Sequence, residues 1–600
     1  MHHFFHPFVL PFCIGTVLLF AICIFKYVRW IRNFDRLQKA LLLKNILSWK
    51  FIPAIWETVM EVLFHKRVTK HHFMLGYMHT SIALGWFLLI VIGAIEASFA
   101  FKDGHPFWVS IFFRYFAKGD TLAFFKGDHF FTNLMDLLLC FVLSGIFLAY
   151  IKRVYSKIVG MRKTTKHVVF DQFAIWALWC IFPLRLIAEC VTAAHYGNGG
   201  FLTQPMGDFI HTYFPLNKPY YEYVETTWWL LYSLALGIFF VSLPFSRYMH
   251  IFTEPFLIYF RNLGLKENDK PSGFTKFELS ACSRCGICID HCPLYKDLKL
   301  PDVQSVYLLR DIRYKKVREE ISNNCLMCDR CVNDCPVNLE LTRIRRQTRD
   351  KGELDTSNNY PYITNIQSFN AIGRVVYFAG CMSHLTPGII ESMKTIFEQV
   401  DQKYWFMDAD RTICCGRPLI QQGFANQAAE LRRQNSKLIK ESGAMMLVTS
   451  CPICYQSFKK EYKLTIPIMH HTEYIDMLIK KDALSLTNQQ LKVVYHDPCE
   501  LGRGSGIYKQ PRRILQKVSQ LIKTKNEKQK SLCCGYNLGN TVLEVDQQKK
   551  IRDAALETLL SKKPDLIVTA CPMCKKALMN SSAFPVKDIA EITCLSLKNS

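Results

Sequence analysis

The sequence predicts a multidomain chain in three parts: a five-helix transmembrane bundle, a small α-helical domain built on eight cysteines, and a duplicated α/β cysteine-rich domain. Three observations carry this. Five apolar stretches of membrane-spanning length crowd the first 256 residues. Two cysteine runs of identical spacing follow: C-S-R-C-G-I-C-I-D-H-C-P at 282–293 and C-L-M-C-D-R-C-V-N-D-C-P at 325–336. From residue 371 onward a cysteine pattern repeats at an interval of 118 to 120 residues. The expected boundaries are 1–256, 257–370, 371–485 and 486–600.

The bulk numbers agree. Half of the 600 residues are hydrophobic and 13% aromatic, which suits a membrane part fused to a soluble one. The net charge is +24, yet no nucleic-acid-reading motif accompanies it, so nucleic acid is not expected as a partner. Much of the basic excess flanks the apolar stretches. Of the 24 cysteines, eighteen lie in patterned groups after residue 280. Thiolates that bind metal need a reducing compartment, which points the patterned half to the cytoplasm.

The apolar stretches are about 8–25, 73–97, 134–151, 173–194 and 224–243, each near the ~20 residues that a bilayer core requires. The first lacks a basic leader and a small-residue cleavage site, so it reads as an uncleaved anchor. Loops 26–72 and 152–170 carry ten and six Lys/Arg, whereas loops 98–133 and 196–223 carry four and one. The positive-inside rule then puts the N-terminus outside and the cysteine-rich half in the cytoplasm of a cell bounded by this inner membrane.

Histidines at membrane depth are costly and point to function. His79 near the start of the second span and His250 just past the fifth fall at similar depth. Two facing imidazoles suit the axial positions of one b-type haem, with plain packing or hydrogen bonding as the alternative. Arg185 and Glu189, at i and i+4 in the fourth span, read as an ion pair or as a quinone-headgroup or proton-relay site. His195 reads as a surface or interface residue.

With its five helices, the His79 segment and 244-PFSRYMH-250, this half resembles the cytochrome b (gamma) subunit of respiratory nitrate reductase and the related small membrane subunit of heterodisulfide reductase. Members with two haems carry further histidines where this chain has Leu89 and Tyr232. The resemblance therefore implies one haem b, near the cytoplasmic face, and menaquinone as the membrane substrate.

Each cysteine run is C-x2-C-x2-C-x3-C-P, the spacing of cubane [4Fe–4S] ligands in which the fourth cysteine reaches across to the other cluster. Cys282, Cys285, Cys288 and Cys335 are assigned to one cubane, and Cys325, Cys328, Cys331 and Cys292 to the second. Zinc would use two separate C-x2-C knuckles and is disfavoured. The 32 residues between Cys292 and Cys325 exceed a small ferredoxin's spacing. A helical two-cluster ferredoxin domain fits better, similar to those in heterodisulfide reductase and glycerol-3-phosphate dehydrogenase subunits. Residues 264–274 read as a linker, and 347–366 as a crossing between domains.

In the last part, 374-RVVYFAGC-381 aligns with 492-KVVYHDPC-499, 413-ICCG-416 with 532-LCCG-535, and 446-MLVTSCPIC-454 with 566-LIVTACPMC-574. Apolar runs lead into each cysteine and helical segments such as 388–399, 425–441 and 547–561 lie between, which predicts α/β units with cysteines beyond the strand ends. Five thiols per unit are too many for zinc or one cubane alone. The sets are Cys381, Cys414, Cys415, Cys451, Cys454 and Cys499, Cys533, Cys534, Cys571, Cys574. They resemble the CCG domains of the heterodisulfide reductase catalytic subunit, and the resemblance implies one non-cubane [4Fe–4S] cluster per complete motif. One or two such clusters are expected, with zinc as the substitute at one. His496 and Arg503 read as anchors for an anionic substrate, tuners of cluster potential, or packing residues. Cys13, Cys23, Cys140, Cys180, Cys190 and Cys594 fall outside the patterns and read as apolar fillers.

The order of these parts implies a membrane-anchored iron–sulfur oxidoreductase between a quinone pool and a cytoplasmic cysteine-rich site. Two functions follow. One is disulfide or dithiol chemistry as in heterodisulfide reductase; the other is electron transfer between a flavoprotein (electron-transfer flavoprotein or a dehydrogenase) and quinone.

Overall fold

The computed structural model describes residues 4–46, 48–101, 104–117, 130–155, 167–215, 217–267, 271–314, 317–349, 374–537, 540 and 542–598. Most of the expected interdomain segment 347–366 lies outside them, as do Lys157, Arg162, Lys163 and Lys166 of the second basic loop. The described chain divides into two compact units, Met1–Gly286 and Ile287–Ser600.

In the first unit five helices are long and apolar enough to cross a membrane: Pro7–Arg32, Phe73–Ala100, Phe130–Val154, Val169–Tyr196 and Lys218–Phe245. Their outer faces carry bare apolar side chains such as Ile14, Val17, Phe87, Phe147 and Trp176. Their inner faces bury Glu96, Asp136, Arg185, Glu189 and Glu225. That inversion of the water-soluble pattern is what a lipid solvent imposes. The first and fifth spans approach closely because glycines meet: a Cβ on Gly15 would lie 2.7 Å from the Gly237 Cα.

The fifth span ends in a tight turn, Leu243–Phe245, and the chain makes a second, Arg247–Met249, before the helix His250–Asn262. A further helix, Gly273–Ala281, packs back on the first span. Phe277 sits 5.4 Å from Tyr27 and 5.1 Å from Trp30, ring to ring. Cys282 follows as the C-cap of that helix.

The second unit opens with short helices around the remaining cysteines of the two runs and continues into two four-stranded sheets. Strands β1 Val375–Phe378, β2 Tyr404–Phe406, β3 Met446–Thr449 and β4 Ile468–His470 pair in the order β2-β1-β3-β4. Strands β5 Lys492–His496, β6 Gln520–Ile522, β7 Leu566–Thr569 and β8 Val586–Asp588 pair as β6-β5-β7-β8. All six pairings are parallel. The identical order shows the duplication as structure, and parallel pairing explains the unbroken apolar strands, which are covered on both faces. One continuous core joins the repeats. Within it His471 Nε2 lies 2.9 Å from Asp588 Oδ1, both fully buried, so the start of the helix after β4 meets the end of β8.

Candidate metal centres

In each repeat the chain reverses direction across the sheet between its first and third strands, where α/β folds place ligands. Cys381 follows β1 and Cys451 follows β3; Cys499 and Cys571 do the same in the second repeat. The C-P-x-C segments start helices: Cys451 caps Pro452–Glu461 and Cys571 caps Pro572–Met579. Proline suits the first helical position. The glycine after each cysteine pair has positive φ, +80° at Gly416 and +77° at Gly535, which a side chain would resist.

The five thiols of each repeat converge. In the first, Cys415 interacts with both Cys414 and Cys454, and Cys381 with Cys415 and Cys451. A Cβ on Gly380 would lie 2.8 Å from the Cys451 Cβ and 3.0 Å from the Cys454 Sγ. In the second, Cys574 Sγ is 3.5 Å from Cys534 Sγ, and Cys499 lies within the fields of Cys533 and Cys534. The second cysteine of each adjacent pair is held well below the usual thiol range. Cys415 is stabilised as thiolate by Cys414 and then Cys454, and Cys534 by Cys533 and then Cys574. Two thiols donating to one thiolate is a donor set suited to a thiophilic metal. His496, at the end of β5, shares this neighbourhood: one ring nitrogen lies within 4.8 Å of the Cys534 and Cys574 sulfurs.

The repeats differ in surroundings. Position by position, Cys381 is exposed and Cys414 half-buried, whereas their counterparts Cys499 and Cys533 are half-buried and buried; the other three thiols are buried in both repeats. Cys533 is covered by the cysteine runs: Cys328 hydrogen-bonds to it, and that bond, with burial, pushes the Cys328 thiol well up. Leu294, Val303, Leu326, Leu543 and Ile551 form the apolar jacket of this contact. Arg503, whose role was open in the sequence, clamps it. Its Nε donates to the Cys328 carbonyl at 2.6 Å and its Nη1 to the Ser531 carbonyl at 2.9 Å. Asn537 adds a bond to the Leu326 carbonyl at 2.7 Å.

One cavity is lined by Cys292, Cys325, Cys328 and Cys331, the set assigned to the second cubane, together with Cys288. Cys331 interacts with Cys325, Cys328 and Cys292, and burial followed by Cys328 and Cys325 pushes Cys292 up to about 12. Four thiols around one cavity fit a thiolate-bound cluster. Cys282 and Cys285 lie in the first unit, on the loop after Ala281. Cys335 follows the short helix Arg330–Asn333 in the second.

Between the repeats, Arg417, two residues after Cys415, bonds Gln456 at 2.6 Å and Glu461 at 2.8 Å. It also pairs with Glu500, next to Cys499, at 3.6 Å. A Cβ on Gly504 would strike the Gln456 amide at 2.3 Å, so the repeats are in tight contact here.

In the first unit, His79 has His65, Lys152, His250 and Arg247 as its ionisable neighbours. His250 Nδ1 is 2.8 Å from the Arg247 carbonyl oxygen, a bond of the kind that orients a metal-ligating imidazole. His65 was not singled out in the sequence. It stacks on His79 at 5.3 Å with φ +47°, and burial pushes it down to about 4. Leu89 and Tyr232 are both buried; Tyr232 packs against Phe112 at 5.6 Å and Trp229 at 5.8 Å. Arg185 Nε donates to Glu189 at 2.9 Å, so the ion pair forms. His195, expected at the surface or an interface, faces Glu225 at 3.8 Å with a largely covered side chain.

Comparison with known proteins matches this layout. The CCG cysteine-rich domain family matches residues 375–459 and 493–579, and the 4Fe-4S dicluster domain family matches 278–339. The chain is 21% identical to an EtfAB:quinone oxidoreductase from Syntrophomonas wolfei, over 96% of this chain and 95% of that one. It is 24% identical to one chain of the dihydromethanophenazine:CoB--CoM heterodisulfide reductase of Methanosarcina acetivorans, over 50% of this chain and 89% of that one. One chain of the fumarate reductase (CoM/CoB) of Methanothermobacter marburgensis is 24% identical over 51% of this chain and 68% of that one. Two CCG domains and one dicluster domain, joined to five apolar helices, make this a heterodisulfide reductase-like iron–sulfur oxidoreductase chain.

Proposed function

We propose that the chain takes electrons from a reduced flavoprotein at its first cysteine-rich repeat and delivers them to menaquinone in the membrane. The observation that carries this is the asymmetry of the repeats: Cys381 is exposed and Cys414 half-buried, while their counterparts Cys499 and Cys533 are half-buried and buried, Cys533 against Cys328. An exposed site suits a macromolecular donor, and a site sealed against a second cysteine cavity suits an internal relay. When bound, the iron–sulfur clusters and haem supply one-electron exchange. The chain's own residues hold the cysteine sites close and dry. Arg503 and Asn537 fix the Cys325–Cys331 loop onto the second repeat, and the Leu294, Leu326 and Leu543 jacket excludes water.

The cysteines proposed as ligands are those named above: five per repeat, four per cubane, with His79 and His250 for one haem. The flavoprotein reading is favoured over disulfide chemistry on two grounds. Similarity to the EtfAB:quinone oxidoreductase spans nearly the whole chain, and similarity to the heterodisulfide reductase spans about half. In addition, Arg417, Gln456, Glu500 and Gly504 close the contact between the two five-thiol sets, where a disulfide would have to reach both.

The test is direct. Protein in menaquinone-loaded liposomes is mixed anaerobically with reduced electron-transfer flavoprotein, or with a dithiol. Flavoprotein oxidation coupled to menaquinol formation is expected, with a rate that falls as salt rises if basic residues steer docking. Dithiol-driven menaquinone reduction with no flavoprotein reaction would establish the disulfide function instead.

A further inference from the structure

Arg284 stands between Cys282 and Cys285 and is 4% exposed, with φ +56°. Its Nη2 pairs with Oδ2 of Asp171, which is fully buried in the first turn of the fourth span. The same carboxylate accepts the Arg247 backbone N–H at 2.7 Å through Oδ1 and the Val168 N–H at 3.2 Å through Oδ2. Arg247 opens the turn that leads to His250, and its carbonyl holds the His250 ring. One carboxylate thus ties the cysteine loop to the turn that carries the histidine.

Two further facts point beyond tethering. Arg284 Nε and Nη1 are buried with no hydrogen-bond partner among the described residues. A buried donor left without a partner is costly. A non-glycine residue in the left-handed region is strained, and such strain concentrates at functional sites. Asp171 is also outnumbered: the Arg284 guanidinium pairs with it and the Arg247 guanidinium lies in its field. Arg247 in turn lies in the field of Cys285. The local balance calls for an anion beside these cysteines, and a thiolate-ligated cluster is one.

We propose that Asp171 and Arg284 are positioning residues of an electron junction. Asp171 holds the Cys282–Cys285 loop on the His250 turn. The remaining N–H groups of Arg284 donate to sulfurs of the cluster that these cysteines ligate, stabilising its reduced, more negative form. This rests on the assignment of Cys282 and Cys285 as cluster ligands.

The test uses the full chain, purified anaerobically in detergent, with redox titration followed by paramagnetic resonance. Arg284→Gln is expected to lower the midpoint of one cubane at least tenfold in reduction equilibrium, about 59 mV for one electron, while the other clusters stay put. Arg284→Lys, which keeps the charge without the fork, falls between. Asp171→Asn is expected to retain iron and the haem band but to slow cluster–haem electron exchange about tenfold in stopped flow. An unchanged cubane midpoint in Arg284→Gln overturns the proposal. So does loss of that cluster's iron in both Arg284 variants, which would make the residue a scaffold only. Unchanged exchange in Asp171→Asn overturns the role of Asp171. If the wild type shows fewer than two cubanes, the ligand assignment fails and the proposal falls with it.

Discussion

Arg503 Nε donates to the Cys328 carbonyl oxygen at 2.6 Å, across 175 positions of sequence. The bond joins the second cysteine run to the second cysteine-rich repeat at the point where Cys328 meets Cys533. A hydrogen bond to a charged donor of this kind contributes about 1.5–3 kcal/mol. Arg503→Ala should therefore loosen the Cys325–Cys331 loop. Iron loss to a chelator is expected to accelerate at least tenfold for one cubane and not for the first repeat's cluster. Arg503→Lys should rescue it only in part, since lysine cannot reach the Cys328 and Ser531 carbonyls together.

The order of the sites makes a second prediction. Cys381→Ser should block oxidation of the reduced flavoprotein outright. Cys533→Ser should leave the first repeat reducible by flavoprotein while menaquinol formation drops by more than tenfold. Stopped-flow absorbance of flavin and quinone in one sample separates the two, and equal loss of both signals in Cys533→Ser would refute the order.

Haem content is a third. His79→Ala or His250→Ala should abolish the single low-spin haem, measured as pyridine haemochrome. His65→Ala should retain it, because His65 stacks on the face of the His79 ring instead of opposing it. Two haems per wild-type chain would contradict the filling of the outer position by Leu89 and Tyr232.

Topology is a fourth. From the basic loops we predict an exterior N-terminus and cytoplasmic residues 257–600. Protease added to sealed right-side-out vesicles should leave 257–600 intact, and inverted vesicles should lose it.

Glu254 supplies a pH prediction. Burial pushes its carboxyl up to about 8, against a partial pull downward from Arg261. The unfolded carboxylate ionises at about pH 4.3, so between about pH 4.3 and 8 the unfolded state binds fewer protons and stability falls as pH rises. Glu254→Gln should then raise the melting temperature of the detergent-solubilised protein at about pH 8.5 and leave it nearly unchanged at about pH 4.5.

By itself the sequence determined the kinds of domain and their order along the chain. The dicluster and CCG cysteine patterns are legible because their spacing is local: C-x2-C and C-P-x-C put sulfurs on one turn or one helix start, whatever the remainder of the fold does. The spans are legible because bilayer thickness sets a length, and the duplication because both copies kept their strand-to-cysteine offsets. Only the tertiary structure decided which sites abut. No local period records that Cys328 meets Cys533, that Arg417 pairs with Glu500, or that Asp171 holds Arg284 from 113 positions away. His65 was equally hidden, since a histidine in a basic loop acquires meaning only when folding stacks it on His79. These contacts depend on how helices and sheets close over long separations. There, burial makes an unpaired charge or thiol costly enough that each must find its partner.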